Sequence, residues 1–169
     1  IGKKTYTIGT PFFVVATENA MESAGTYPLP DAQTDRFLFK ILIDYPNEKE
    51  EKLIVDTNIT LRRFEDFKIR SIISVSDILR YQKLVKNIHA QDSIKDYIVR
   101  IVSTTRNPEK YNLKYGRYIR QGSSPRATIG LFIGAKAECA LRGQAFVTPQ
   151  HVKNVAADIL RHYIQSAFY

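Results

Sequence analysis

Three polar side chains stand where they could act on a phosphate: Asn19, Arg36 and Arg126. Asn19 follows the apolar run Pro11–Ala16, at the carboxyl edge of a buried-strand pattern, and ligands of open α/β sheets bind at that edge. A neutral amide there can orient a water or bond a phosphate oxygen without changing charge, although an Asn closing a strand also serves as a plain turn residue. Arg36 ends the stretch Gly25-Thr26-Tyr27-Pro28-Leu29-Pro30-Asp31-Ala32-Gln33-Thr34-Asp35-Arg36-Phe37. Its two prolines stiffen the approach, and Pro30 can open a short helix with Asp31 in the first turn. The guanidinium could stabilise charge on a transferring phosphoryl group as an arginine finger. Local sequence favours instead a helix-end cation or a surface pair with Asp31 or Asp35. Arg126 lies in Gly122-Ser123-Ser124-Pro125-Arg126, where Ser124 caps a helix and Pro125 is its first residue. A cation in the first turn opposes the helix dipole, and helix starts and arginines both attract anions, so a phosphate nearby would satisfy both. A solvent-facing arginine is the alternative.

These side chains need elements to hold them. Thr5–Ile8, Pro11–Ala16 and Phe37–Ile43 read as strands, the latter two apolar on both faces as in a covered parallel sheet. Such strands need more sheet and more covering helices than the first 60 residues supply, so this region reads as a truncated α/β portion. Glu48–Asp56 has helical composition with Asn47 as its cap, and 58–75 reads as a linker. From there the period becomes helical. Ser76–Ile88 places Ile78, Leu79, Leu84, Val85 and Ile88 near one face, and Asp92–Arg106 does the same with Ile94, Tyr97, Ile98, Ile101 and Val102. Ser124–Arg142 is apolar nearly all round and rich in small residues, which predicts a central helix with close neighbours, stopped by Gly143. Thr148 and Pro149 open a last helix that runs to about Tyr163. The expected architecture is an α/β fragment of two or three strands over residues 1–60, a linker at 61–75 and a helical bundle over 76–169.

The 169 residues are 44% hydrophobic, as expected of a folded protein. No stretch approaches the roughly 20 apolar residues of a membrane-spanning helix, and no secretory leader is visible. The lone Cys139 excludes an internal disulfide, which points to a reducing cytoplasm. The net charge of +8 is unevenly spread: residues 1–69 carry 9 Lys+Arg against 11 Asp+Glu, and residues 70–169 carry 16 against 6. Between 100 and 126 stand Arg100, Arg106, Lys110, Lys114, Arg117, Arg120 and Arg126 with Glu109 as the one acid, interleaved with Tyr111, Tyr115 and Tyr118. Cations on phosphates and tyrosines on bases would make this a nucleic-acid surface, and a solvated inter-helix loop has the same composition.

Other patterns carry less. Gly2-Lys3-Lys4-Thr5 has the ending of a phosphate-binding loop but lacks the earlier glycine, and a strand pattern rather than a helix follows it. His89, His151 and His162 have no metal-ligand spacing with one another or with Cys139, so neither metal nor cysteine chemistry is supported.

Pro11–Asn19, Gly25–Phe37, Asp96-Tyr97-Ile98-Val99, Thr105-Arg106 and Gly122–Ala127, followed by Arg142-Gly143, Val147–Val152 and Leu160-Arg161-His162, resemble the MoxR family of AAA+ ATPases, in order along nearly the whole chain. The Gly-Thr-Tyr-Pro-Leu-Pro stretch is the most specific element. The resemblance implies the C-terminal part of a P-loop ATPase module with a helical lid. By it Asn19 matches the sensor 1 position beside the hydrolytic water, Arg36 the arginine finger that reaches a neighbouring subunit's ATP, and Arg126 the sensor 2 arginine of the lid. It further implies ATP and Mg2+ as cofactors, a ring homo-oligomer (commonly a hexamer), chaperone-like remodelling of protein partners, and association with von Willebrand factor A domain proteins. The family's phosphate-binding loop and acidic metal-binding strand are absent from these residues, so this chain alone is expected to be inactive. Glu18 replaces the family's usual Gln, which puts a carboxylate near the phosphate site or turns it away, and 107–121 exceeds the common family spacing. The competing readings are a non-catalytic basic module that binds a protein partner and, less favoured, a nucleic-acid binder.

Overall fold

In the computed structural model, residues 5–18, 29–58 and 64–167 are described. Six helices dominate them: α1 (Asp31–Thr34), α2 (Glu48–Asn58), α3 (Val75–Asn87), α4 (Asp92–Arg106), α5 (Pro125–Leu141) and α6 (Pro149–Leu160). Short strands β1 (Ile119–Gln121) and β2 (Gln165–Ser166) pair antiparallel. The fold is the mostly α architecture expected, with the bundle helices within one or two residues of their predicted bounds except for the end of α6, which closes at Leu160 rather than near Tyr163.

Local chemistry sets these bounds. The Ser74 hydroxyl accepts the Asp77 amide at 3.1 Å while the Asp77 carboxylate accepts the Ser74 amide at 3.0 Å, a reciprocal cap that starts α3. Gly143, at φ +64°, ends α5 in the left-handed region while the Gln144 amide reaches back to the Cys139 carbonyl at 3.0 Å. Buried His151 accepts the Thr148 amide on Nδ1 at 3.0 Å at the start of α6.

The core lies among α4, α5 and α6. Ile94, Ile98 and Val102 face Leu131, Ala135 and Cys139 of α5 and Val152 and Ile159 of α6. Helix α5 is central, as its all-round apolar pattern predicts. Its glycines admit neighbours: a Cβ on Gly134 would come within 2.7 Å of the Ile159 Cδ1 atom, and one on Gly130 within 3.2 Å of Leu38 Cδ1. Helix α3 packs less deeply than its apolar stripe suggests, with Leu79 and Leu84 exposed.

The expected strands Thr5–Ile8, Pro11–Ala16 and Phe37–Ile43 are not strands in the structure. A strand exists only against a paired strand, and among the described residues these segments pair with none. Where backbone pairing is seen, the Lys40 amide donates to the Asp158 carbonyl of α6 at 2.8 Å. Many of their apolar side chains stand in solvent, Phe13 at 86% and Ile43 at 92% exposure, while Phe37, Leu38 and Phe39 are partly covered. Among the described residues no helix is long and apolar enough to cross a membrane.

Candidate functional site

The segment from Asp31 to Lys40 is held against the bundle at every few residues. Pro30 opens α1, and after one turn the Arg36 and Phe37 amides close back on the Gln33 and Thr34 carbonyls at 3.1 and 3.0 Å. The Gln165 amide of β2 donates to the Asp31 carboxylate at 2.6 Å. Tyr163 directs its hydroxyl at the Asp35 and Phe37 carbonyls, 3.3 and 3.2 Å away. His162 Nε2 donates to the Phe37 carbonyl at 2.9 Å, and Arg161 donates to the Lys40 carbonyl at 2.6 Å. Leu38 and Phe39 then cross α5 over the bare positions Gly130 and Gly134.

This clamp brings the Asp35 side chain to the start of α5. Its Oδ1 accepts the Ser124 hydroxyl at 2.7 Å and its Oδ2 accepts Nη1 of Arg126 at 2.7 Å. Ser124 also caps the helix, its Oγ accepting the Arg126 amide at 3.2 Å. The anion beside the first-turn cation of α5 is the carboxylate of Asp35, where the sequence pattern points to a phosphate. Asp31, Asp35, Gln121, Ser124, His162 and Tyr163 are among the residues lining a cavity of about 250 Å³ beside this contact.

Burial shifts two of these groups. Desolvation holds the His162 imidazole below its usual pKa, against the Phe37 carbonyl, which favours the protonated form. With Nε2–H on that carbonyl, buried Nδ1 has no hydrogen-bond partner among the described residues. Desolvation, with the Asp35 charge adding to it, raises the Tyr163 phenol.

Of the residues singled out from sequence, Arg36 and Arg126 are brought to one region by the Asp35 contact. Arg36 follows Asp35 directly and is exposed, and its side chain makes no hydrogen bond or ion pair among the described residues. The ion-pair alternative for Arg36 fails, because Asp35 is taken by Arg126 and Asp31 by Gln165. Asn19 lies outside the described residues. Its neighbour Glu18 turns its carboxylate to Lys40, 2.9 Å away. Sequence reasoning missed Asp35 as the partner of Arg126, and with it the clamp residues His162 and Tyr163. The signal available was the unfavourable cation at the start of α5, which asked for an anion without saying from where.

The basic stretch is ordered. Two 3-10 turns, Glu109–Tyr111 and Gly116–Tyr118, fold it onto Pro108, and the Ala167 amide ties down the Tyr118 carbonyl at 2.8 Å. Lys114 and Arg117 lie over the rings of Tyr115 and Tyr118, 5.2 and 4.8 Å from their centroids. Cys139 is fully buried in α5, and desolvation raises its thiol pKa, which suits packing rather than nucleophilic attack.

Two family models match this chain. One, described as the ATPase family associated with various cellular activities, covers residues 1–39, and the other, the AAA lid domain, covers 116–168. Chaperone MoxR1 of Mycobacterium tuberculosis is 39% identical over 164 residues, which is 96% of this chain and 42% of that protein. The chain belongs to the MoxR family of AAA+ ATPases. Protein MoxR of Paracoccus denitrificans is 31% identical over 89% of this chain and 47% of its own length. A crystal structure of a candidate ATPase from Cytophaga hutchinsonii superposes with a TM-score of 0.85 at 36% identity, covering 99% of this chain and 51% of that one. The chain thus spans about half the length of the MoxR-type relatives it matches. The helical part of the fold carries the lid.

Proposed function

We propose that these residues supply the C-terminal half of a MoxR-type ATPase module, with residues 1–60 belonging to its nucleotide-binding core, 61–75 linking and 76–169 forming the lid. The supporting observation is the contact of Asp35 with Arg126, which puts the lid arginine beside the residue that precedes Arg36. Arg36, exposed and next in sequence to Asp35, and Arg126, in a half-exposed ion pair, are the kind of groups that suit a polyphosphate. In this reading the two act on the same nucleotide. Because Arg36 is an arginine finger, that nucleotide sits on a neighbouring copy in a ring.

The donor set fits ATP and leaves Mg2+ to other residues. Arg36 and Arg126 offer charged donors of the kind that binds phosphate, whereas no cluster of three His, Cys, Asp or Glu is found among the described residues. ATP supplies the γ-phosphoryl group whose transfer to water releases free energy. Arg36 places positive charge where negative charge grows during transfer, Arg126 holds phosphate oxygens in register, and Asn19 orients the attacking water. Cycles of this chemistry drive chaperone-like remodelling of protein partners by a ring, commonly a hexamer, working in the cytoplasm. The 169 residues alone lack the phosphate-binding loop and are inactive in this reading.

Arg36→Ala in the full-length protein tests it. Turnover should fall by about 10³-fold, the scale of an arginine finger, while ATP still binds. Unchanged turnover would overturn the assignment.

A further inference from the structure

Asp35 has no chemical role of its own in the reading above, yet both of its carboxylate oxygens are engaged. Each oxygen takes a different donor from the same helix start: the Ser124 hydroxyl at 2.7 Å and the Arg126 guanidinium at 2.7 Å. The Ser124 hydroxyl passes the connection on by accepting the Arg126 amide. Its own backbone is fixed on both sides, the amide on the Asp31 carbonyl at 2.9 Å and the carbonyl under the Tyr163 hydroxyl. The carboxylate also sits at the positive end of the 17-residue α5, the one place where Arg126 would otherwise be unfavourable.

We propose that Asp35 is a positioning residue that joins Arg36 and Arg126 into one two-arginine unit, so that the finger and the lid arginine reach the nucleotide together. This rests on the nucleotide reading of the two arginines given above. The physical basis is the short path between them. From the Arg36 backbone to the Arg126 guanidinium runs one peptide bond, one aspartate side chain and one charge-assisted hydrogen bond. Any tilt of α5 is therefore passed to the finger, and any shift of α1 is passed to the lid. A half-exposed ion pair such as this contributes little to stability, the Arg126 and Asp35 side chains being 50% and 27% exposed. Its effect is on orientation, and misplacement of a catalytic group by about 1 Å can cost on the order of 100-fold in rate.

The test uses the full-length protein and reads kcat and KM for ATP. Asp35→Asn keeps an acceptor for Ser124 and removes the charge that holds Arg126. Its kcat is expected to fall about 10- to 100-fold with KM for ATP little changed. The double variant Asp35→Asn/Arg126→Ala should be no slower than Arg126→Ala alone, since both changes break the same connection. A normal kcat for Asp35→Asn, or effects that multiply in the double variant, overturns the proposal. If Asp35→Asn melts several degrees lower than the parent, Asp35→Glu is compared with Asp35→Gln, which share a shape and differ in charge. The glutamate form should be roughly tenfold faster, and equal rates overturn the proposal. Full turnover in both Arg36→Ala and Arg126→Ala overturns the nucleotide reading and this proposal with it. Loss of turnover in both, with multiplying effects at Asp35, overturns this proposal alone.

Discussion

The two ends of the chain spend similar side chains differently. Ile98, Leu131 and Ile159 are closed off completely among α4, α5 and α6, while Phe12, Phe13, Val15 and Ile43 are as apolar and stand in solvent. Hydrophobicity is the same on both sides; the difference is the range of the contacts that bury it. A helix satisfies its backbone internally and needs only a facing stripe, which the next helices in sequence provide. A two-faced strand needs neighbours on both edges and covers on both faces. Among the described residues the first requirement is met and the second is not.

Substitutions can break or sharpen that contrast. Leu131→Ala removes a side chain with no exposure from the centre of the bundle, and in the 169-residue chain it should cost about 2–5 kcal/mol by chemical denaturation. Gly134→Val forces a branched side chain into the space of the Ile159 Cδ1 atom and the Phe39 ring, for roughly 1–3 kcal/mol. It should also push residues 37–40 off α5, which exchange of the Lys40 amide would register as faster. Gly134→Ala should be milder, because better helix propensity returns up to about 1 kcal/mol. His162 gives a pH effect of definite sign. Its folded pKa lies below the ordinary value of about 6.5, so the stability it contributes is fully present above that value and is lost as pH falls through 6.5 toward the folded pKa. Thermal melts should decline from pH 7 to 5 in the parent and less so in His162→Gln. Phe13→Ser, at the other end of the comparison, should change the stability of this chain by no more than about 0.5 kcal/mol. A larger loss would mean that the exposed segment is packed after all.

The helical half was legible from residues alone because its signals are local. Ser124 with Pro125, Thr148 with Pro149, and Gly143 each act within four residues, and the apolar spacing of α4 names its buried face; the Ser74–Asp77 cap of α3, equally local, went unread. What escaped was long-range. Nothing near Arg126 announces Asp35, which is 91 positions away, and nothing near Phe37 announces His162 or Tyr163. The strand patterns were read for their composition, but composition cannot state whether an edge is paired. The family resemblance supplied roles for Asn19, Arg36 and Arg126; local physics left Arg126 balanced and favoured plain structural roles for Asn19 and Arg36. It did not supply the carboxylate between two of them.

The ordered basic excursion has a consequence for handling the protein. Lys110, Lys114, Arg117 and Arg120 have no carboxylate partner among the described residues, and Lys114 and Arg117 rest on tyrosine rings. Four such cations close in sequence give the surface a local positive charge, so weak retention on polyanions in dilute buffer is the expected outcome. Retention on heparin or phosphocellulose that comes from charge density should vanish at moderate ionic strength, where the screening length falls to about 10 Å or less.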